Sequence, residues 1–258
     1  MSACGRGVCM AKRTGLITVF ILIFLWHLMA AAVGNDILIP YPAQVGSYLL
    51  GLLRSEVLYT SVLMTTLRVA KGFLISMVCA MIFSILSDYS PAMRSIFTPI
   101  HVLTKTIPNA SYIIIAIIWL GSEGAVSAVS FMILFPVFYN SFINAMDQED
   151  SSLKDVGSIY RESFLGKLRY RTLPLILTEI LTTGKTAASM GFKVGVMAEV
   201  IGQVRVGIGR QMSYARLYLQ TDRLIAWTVV IIIISILLDQ LFDLLILYRK
   251  KEEQRWRN

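Results

Sequence analysis

The sequence predicts an all-α, polytopic membrane protein with six transmembrane helices. Of its 258 residues, 56% are hydrophobic and only 16% are charged, and the mean hydropathy is +0.67. Soluble domains average roughly 45–50% apolar and about 25% charged residues. The apolar residues occur in long runs, near the roughly 20 residues that a helix needs to cross a bilayer. This composition excludes disordered, collagen-like and small disulfide-stapled proteins.

Six apolar segments are the predicted spans. They are Thr14–Asn35, Val57–Leu86, Pro91–Leu120, Gly124–Met146, Leu173–Gly202 and Leu224–Tyr248. The first contains no Asp, Glu, Lys or Arg and is longer than the roughly 7–15-residue core of a signal peptide, so we interpret it as a retained helix. The third is expected to break near Pro108, because proline lacks the N–H of a helical hydrogen bond. The fifth is unusually polar for a span.

The basic residues indicate the orientation of the chain. With six crossings, 14 of the 24 Lys and Arg residues fall on the side of the two termini and five fall on the opposite side. Because cytoplasmic loops are enriched in Lys and Arg, both termini are predicted to be cytoplasmic. Residues 1–13 and 249–258 are then tails of one transmembrane domain over 1–258. This distribution also explains the net charge of +8 without a nucleic-acid partner.

The long hydrophilic stretch Asp147–Leu173 contains a predicted helix. Ser152 followed by Asp155 fits a capping box at its start, and Leu173-Pro174 is expected to end it. The apolar residues that share one helical face are Leu153, Val156, Tyr160 and Phe164. Such a helix can lie on the bilayer, form a solvated loop or dock in a partner's groove, and the pattern alone leaves all three open.

Asp155-Val156-Gly157, followed at the expected distance by Leu173-Pro174, resembles the "EAA" loop of ABC-importer permeases. Arg161 occupies the position of that motif's glycine, which is a departure. Further segments resemble the nitrate/sulfonate/taurine branch of these importers. They are Thr65-Thr66-Leu67-Arg68-Val69 with Gly72-Phe73, Ile107-Pro108, Trp119-Leu120-Gly121, Ala198-Glu199 with Gly202, Gly207 and Gly209, and Asp239.

This resemblance implies a type I ABC importer permease fold in the bacterial inner membrane, with five core helices over 57–248 and a coupling helix near 151–168. The residues it implies for ATPase coupling are Asp155, Val156, Gly157, Tyr160, Arg161 and Phe164, with Tyr160 and Phe164 as apolar anchors. Expected partners are two ABC ATPase subunits, a second permease copy and an extracytoplasmic binding protein. The chain is expected to be no enzyme and to hold no cofactor or metal, since ATP would bind the ATPase. The expected solute is small and anionic, similar to nitrate, a sulfonate or taurine, or else a vitamin precursor.

A few polar residues inside the spans are candidates for the translocation pathway. They are Thr65, Arg68, Lys185, Lys193 and Glu199. Ionisable groups at membrane depth usually face a bundle interior or a watery path. With Glu179, the charges of the fifth span fall within an arc of roughly 160° at the helical period of 100° per residue, so they can face inward together. In the second span a tight helix–helix seam explains the polar and small stripe equally well, and its members are Ser61, Thr65, Arg68, Gly72 and Ser76. In the fifth span internal ion pairs or snorkelling side chains at the ends explain the charges.

Two other functions stay open from the sequence. One is an ion-coupled secondary transporter that uses Glu179 or Glu199 as a proton site. The other is an intramembrane enzyme acting on lipids, although the sequence offers no nucleophile–base–acid set. Uptake without an ATPase would indicate the first, and a chemically altered product the second.

Overall fold

The computed structural model describes residues 4–149 and 163–257, and over these residues the prediction of an all-α protein is confirmed. The helices are α1 (Cys4–Val33), α2 (Pro42–Leu52), α3 (Glu56–Tyr89), α4 (Pro91–Thr106), α5 (Asn109–Asp147), α6 (Phe164–Lys167), α7 (Leu173–Gly202), α8 (Ile208–Leu217) and α9 (Thr221–Arg257). A π-helical turn, Leu168–Thr172, joins α6 to α7.

Three helices in the described part of the chain are long and apolar enough to cross a membrane: Glu56–Tyr89, Asn109–Asp147 and the Thr221–Arg249 part of α9. The apolar segment Ile17–Val33 of α1 is shorter. Helix α7 has the length of a span but carries four ionisable residues between Glu179 and Glu199. The count of six spans therefore stays a prediction.

The boundaries of the predicted third and fourth spans do not coincide with those of helices α4 and α5. The helical path is interrupted at two positions, Pro108 and Gly121. Helix α4 ends at Thr106, and α5 begins at Asn109 directly after Pro108. Within α5, Gly121 has φ 70° and ψ 172°, which lie outside the helical region. The break expected near Pro108 is present, and the boundary expected between Leu120 and Gly124 coincides with Gly121.

The prediction that Leu173-Pro174 ends a helix is wrong. Ser163 is non-helical and its Oγ accepts the N–H of Gly166 at 3.2 Å, so a new helix begins at Phe164. That helix continues through the π turn into α7. Pro174 cannot donate a helical hydrogen bond and crowds the preceding turn. The π turn lies there, and in it the N–H of Leu173 donates to the carbonyl of Leu168 instead.

The chain divides into two compact units. The first comprises the described parts of Met1–Tyr59 and Gln211–Val230, and the second those of Thr60–Arg210 and Ile231–Asn258. In the first unit, Trp227 is buried and the Arg223 guanidinium lies 5.2 Å from the centre of the Tyr48 ring. Both Tyr48 and Arg223 line an open cavity of about 680 Å³, together with Asp36 and Asp222. The sequence patterns did not single out this cavity.

The second unit is built around the packing of α5 against α7. Its buried apolar residues form two clusters, one around Val126 and Val129 and the other around Phe138 and Phe142. Gly72 of α3 lies against α5 so closely that a Cβ there would be 2.7 Å from the Ser130 Cβ. Small residues allow such close approach between helices. The seam interpretation therefore holds at this position of α3.

Candidate functional site

Glu199 of α7 is the centre of a buried polar cluster. Its side chain is 0% exposed, although carboxylates are almost never fully buried unless they are paired. Arg68 Nη1 donates to Glu199 Oε1 at 2.7 Å, and Thr65 Oγ1 donates to Oε2 at 2.8 Å. The structure thus brings together three of the five predicted pathway residues, from helices α3 and α7. We call these three residues and Glu123 the Arg68 cluster.

Arg68 also bonds to groups that the sequence did not connect with it. Its Nη1 donates to the carbonyl of Val206 at 2.7 Å, and its Nη2 forms an ion pair with Glu123 Oε2. Glu123 follows the break at Gly121, and its Oε1 accepts the backbone N–H of Arg205 at 2.9 Å. One guanidinium therefore bridges a fully buried carboxylate and a carboxylate that is 46% exposed.

The start of α8 closes the cluster on another side. The N–H of Gly209 donates to Glu199 Oε2 and that of Ile208 donates to Thr65 Oγ1, both at 2.9 Å. A carboxylate at a helix N-terminus satisfies N–H groups that have no partner within the helix. A Cβ at Gly207 would lie 2.6 Å from both carboxylate oxygens of Glu199. The spacing from Ala198-Glu199 to Gly207 thus has a physical reason: the chain passes directly over the carboxylate.

The Arg68 cluster is internally satisfied. Each charged group in it has a charged or hydrogen-bonding partner, and the pair with Glu199 is shielded from solvent. Arg68 and Glu123 also line an open cavity of about 640 Å³, with Gln203, Arg205 and Val206. The arrangement is suited to holding residues 203–209 against α3 and α7. For Glu199 this geometry favours an internal ion pair over a place in the translocation pathway. Arg68 and Glu123, by contrast, border the cavity.

The other two predicted pathway residues, Lys185 and Lys193, line a different cavity, of about 430 Å³. We call it the Lys193 cavity; its lining is Lys185, Thr186, Ser189, Met190, Lys193 and Val194 of α7 and Asp239 of α9. Lys185 Nζ lies 2.7 Å from both carboxylate oxygens of Asp243. Ser189 Oγ donates to Asp239 Oδ1 at 2.5 Å. Lys193 is exposed and has no hydrogen bond or ion pair within the described residues.

The sequence predicts that the charges of α7 can face inward together, but the structure places them at separate sites along the helix. Glu179 accepts hydrogen bonds from Ser141 and, at 2.8 Å, from Thr183. Lys185 pairs with Asp243, and Glu199 pairs with Arg68. A shared angular arc does not bring residues together along the axis: with a rise of 1.5 Å per residue, Glu179 and Glu199 are about 30 Å apart.

The exposed positions of α7 form one stripe. From residue 178 onward they are Thr178, Thr182, Thr186, Met190, Lys193, Met197 and Ile201, which we call the α7 stripe. The exposed positions of the second unit's part of α9 are mainly aliphatic: Ile232, Ile233, Ile236, Leu237, Leu241, Leu244, Leu245 and Leu247. A lipid-facing surface is apolar, whereas polar residues at membrane depth face protein or water. The two helices therefore present surfaces suited to different neighbours.

Most of the residues expected to couple to an ATPase, namely Asp155, Val156, Gly157, Tyr160 and Arg161, lie outside the described residues. Phe164 is described as the first residue of α6, and the non-helical Ser163 precedes it. The shared helical face of Tyr160 and Phe164 stays a prediction, because Tyr160 lies outside the described residues.

Ion pairs connect the segments on either side of residues 150–162. Arg171, in the π turn, donates to both oxygens of Glu149 at 2.6 and 2.7 Å, and the two side chains are 15% and 8% exposed. Lys167 donates to Asp88 at 2.6 Å, at the end of α3. The forked geometry of Arg171 with Glu149 is the strong, directional form of such a contact. The two ends of the hydrophilic stretch are thereby held close to one another.

The charged partners that sequence reasoning missed are Glu123 and Asp243. Glu123 lies two residues after Gly121 in an otherwise uncharged stretch, and a lone carboxylate between two apolar segments is a usable signal. Asp243 lies four residues after Asp239, on the same helical face. Neither position identifies its partner, because that depends on how α3, α5, α7 and α9 pack.

Comparison with known proteins identifies the class. Residues 72–248, more than half of the chain, match the family described as "Binding-protein-dependent transport system inner membrane component". The chain belongs to this family of transport permeases, and the resemblance to the nitrate/sulfonate/taurine branch is confirmed.

Among its relatives is the taurine transport system permease protein TauC of Escherichia coli, 26% identical over 230 residues, covering 86% of this chain and 83% of TauC. The permease SsuC of Bacillus subtilis, named for aliphatic sulfonates, is 23% identical over 95% of this chain and 87% of its own length. The formylaminopyrimidine transport permease protein ThiX of Halalkalibacterium halodurans is 25% identical over 70% of this chain and 69% of its own.

Proposed function

We propose that the chain is the membrane permease subunit of an ATP-driven ABC importer. A homodimer would form the pathway for a small solute with an anionic group, delivered by an extracytoplasmic binding protein, and two ATPase subunits would bind and hydrolyse ATP. The family match over residues 72–248 carries this proposal. The relatives named above are permeases for sulfonates, taurine and a formylaminopyrimidine.

In the proposed topology, six crossings place both termini in the cytoplasm of a bacterium. The segments that cross are α1, α3, α4 with the first part of α5, the rest of α5 after Gly121, α7, and α9. The long apolar helices α3, α5 and α9 support this assignment. Residues 203–209 and Glu123 would then lie near the outer face, and Asp88 and Arg171 near the inner face.

The α7 stripe would form a wall of the pathway. Its three threonines and Lys193 are poorly suited to lipid, and the aliphatic surface of α9 shows what a lipid-facing helix of this chain looks like. Lys193 lies nine residues, about 14 Å along the axis, from the end of α7, well inside a hydrocarbon core of about 30 Å. Water or a second protein surface must therefore cover this face.

The coupling helix would lie in the segment near 151–168, before the non-helical Ser163, and dock on the ATPase through Tyr160. The Arg171–Glu149 and Lys167–Asp88 ion pairs support this proposal, because they tie the ends of the stretch to α3 and α5. The π turn and α7 continue directly from this region. Movement of a docked segment would thus be passed to the helix that bears the α7 stripe.

Reconstitution of the purified chain in vesicles tests the proposal. Uptake is expected only when the cognate ATPase and binding protein are included with ATP. Uptake by the chain alone, driven by an ion gradient, would refute it. A chemically altered lipid would indicate an enzyme instead.

A further inference from the structure

A small apolar cavity lies where α3, α7 and α9 meet within the second unit. Its volume is about 140 Å³, and only apolar atoms face it. We call it the Phe192 cavity; its lining is Thr66, Val69, Ala70 and Phe73 of α3, Ala188 and Phe192 of α7, and Leu238 and Phe242 of α9. An apolar cavity of about 150 Å³ stays free of water and binds a small hydrocarbon such as benzene. The Phe192 cavity is therefore suited to an apolar ligand.

Close contacts between helices fix the two ends of the Phe192 cavity. At Gly195 of α7 an added Cβ would overlap Val69 Cγ2, so α3 lies directly against the α7 backbone there. At Gly184, about three turns away along α7, an added Cβ would lie 2.7 Å from Phe242 Cε1, so α9 lies against the same helix. Between these contacts the short side chain of Ala188 leaves the space unfilled. Side chains in protein interiors usually interdigitate without such voids, so the cavity follows from these two contacts and from the alanine.

The Phe192 cavity opens between α3 and α9. Phe192 is 1% exposed and Ala188 is buried, whereas the lining residues of α9 and most of those of α3 are half-buried. The exposed residues beside the opening are aliphatic: Leu67 and Leu74 on α3, and Leu241 and Leu245 on α9. Polar groups at membrane depth face protein or water, and a lipid-facing surface is apolar. The opening is therefore suited to contact with the hydrocarbon of a bilayer.

The depth of the cavity indicates which part of a lipid reaches it. Phe73 lies 17 residues after the start of α3 and 16 before its end, about 25 Å along the axis from each. The hydrocarbon core of a bilayer is about 30 Å thick, so a headgroup stays about 15 Å from its centre. The part of a lipid that lies at the level of Phe73 is the end of an acyl chain.

We propose that the Phe192 cavity binds the terminal segment of a lipid acyl chain, which enters between α3 and α9. The chain end contacts Ala188 and Phe192 and fills the space that the helix contacts leave. The proposal goes beyond the proposed function, because it requires only that α3 and α9 cross a bilayer. Binding needs neither an ATPase nor a transported solute.

Photolabelling of the full-length chain in lipid nanodiscs tests this site. The nanodiscs contain phosphatidylethanolamine and phosphatidylglycerol, with a small fraction of phosphatidylglycerol that carries a diazirine at the end of one acyl chain. Light converts the diazirine into a carbene that inserts into a neighbouring residue, which mass spectrometry identifies. Phe192 is expected to carry at least tenfold more label than Leu134, which is 0% exposed and lies against Gly191 of α7 at the same depth. Equal labelling of Phe192 and Leu134 would overturn the proposal.

Two further probes identify the occupant. A phosphatidylglycerol with the diazirine next to its headgroup is expected to label Phe192 at least tenfold less than the terminal probe, and equal labelling by both would refute binding of the chain end. Adamantane diazirine distinguishes a dissolved apolar solute from a lipid: labelling of Phe192 by this compound but not by the terminal probe would refute the acyl chain. No labelling of Phe192 by any probe would mean that protein, such as a second copy, covers the opening, and would refute the proposal as well.

Variants that fill the cavity locate the site. Ala188→Leu is expected to reduce labelling of Phe192 by the terminal probe about tenfold and to leave labelling of Leu241 unchanged. Ala70→Leu fills the same space from α3 and replaces Ala188→Leu if that variant does not fold. Ala92→Leu, at an exposed alanine of α4 outside the cavity, is the matched control and should change neither. Unchanged labelling of Phe192 in a folded filling variant would refute the site.

Discussion

Replacing Arg68 with Met should destabilise the protein strongly, because it leaves Glu199 as an uncompensated buried charge. Glu199 is 0% exposed and Arg68 is 15% exposed. Removing one partner of a buried ion pair costs about 3–5 kcal/mol, and the slight exposure of Arg68 favours the lower end. At roughly 2–4 °C per kcal/mol for a chain of this size, we expect Tm to fall by about 6–12 °C.

The other members of the Arg68 cluster provide graded controls. Glu123→Gln affects a contact whose carboxylate is 46% exposed, and exposed pairs contribute about 0–1 kcal/mol, so Tm should fall by less than about 4 °C. The double variant Arg68→Met with Glu199→Gln removes both charges but keeps an acceptor for Thr65 and for the Gly209 N–H. It should be more stable than Arg68→Met alone, because no buried charge is left unpaired.

Thermal unfolding of the purified variants in one detergent, followed by tryptophan fluorescence, measures these differences. The reasoning is refuted if Arg68→Met melts within about 2 °C of Glu123→Gln, or if the double variant is as unstable as the single one. Either result would mean that the Arg68–Glu199 contact contributes little to folding, and the pathway interpretation of Arg68 would then regain support.

Three further predictions concern the coupling segment, the pathway wall and the helix seam. Tyr160→Asp should reduce co-purification of the ATPase at least tenfold while Tyr170→Asp, at an exposed residue of the π turn, leaves it unchanged; equal retention in pull-downs would contradict the docking proposal. In a cysteine-free background, Thr186→Cys should react with a water-soluble maleimide in the assembled transporter and Leu241→Cys should not; equal labelling would remove the pathway wall. Gly72→Ala should lower the free energy of unfolding by about 1–3 kcal/mol through overpacking. An unchanged Tm would show that α3 and α5 can move apart enough to accept the methyl group.

The sequence predicted those parts of the fold that depend on local chemistry. The apolar runs predicted the helices, Pro108 predicted a break, and the Leu120–Gly124 boundary fell at Gly121, where the backbone leaves the helix. Leu173-Pro174 was interpreted as an end because proline lacks a donor, but a π turn accommodates it. That outcome depends on the preceding turn, in which the carbonyl of Leu168 accepts the N–H of Leu173.

Helical periodicity was less informative about the site. It predicted a common face for Glu179, Lys185, Lys193 and Glu199, and the angular argument was sound. It contains no information on depth, and it cannot tell which neighbouring helix supplies a partner. Arg68 and Glu199 are 131 residues apart in sequence. Only the packing of α3 against α7 and of the 203–209 segment over the carboxylate makes them a pair.

The charges of α7 that the structure describes differ in whether they have a charged partner, and this difference predicts how their removal affects stability. Glu199 is held by three donors in a site closed to solvent, so neutralising it deprives Arg68 of a buried partner and lowers Tm. The Lys185–Asp243 pair is 34% and 53% exposed, so its loss should change Tm little. Lys193 has no such partner within the described residues, so Lys193→Met should leave Tm unchanged or raise it, since it removes an expensive isolated charge. Thermal unfolding of Lys193→Met and Glu199→Gln in one detergent checks this argument. A fall in Tm for Lys193→Met as large as that for Glu199→Gln would mean that Lys193 supports the fold.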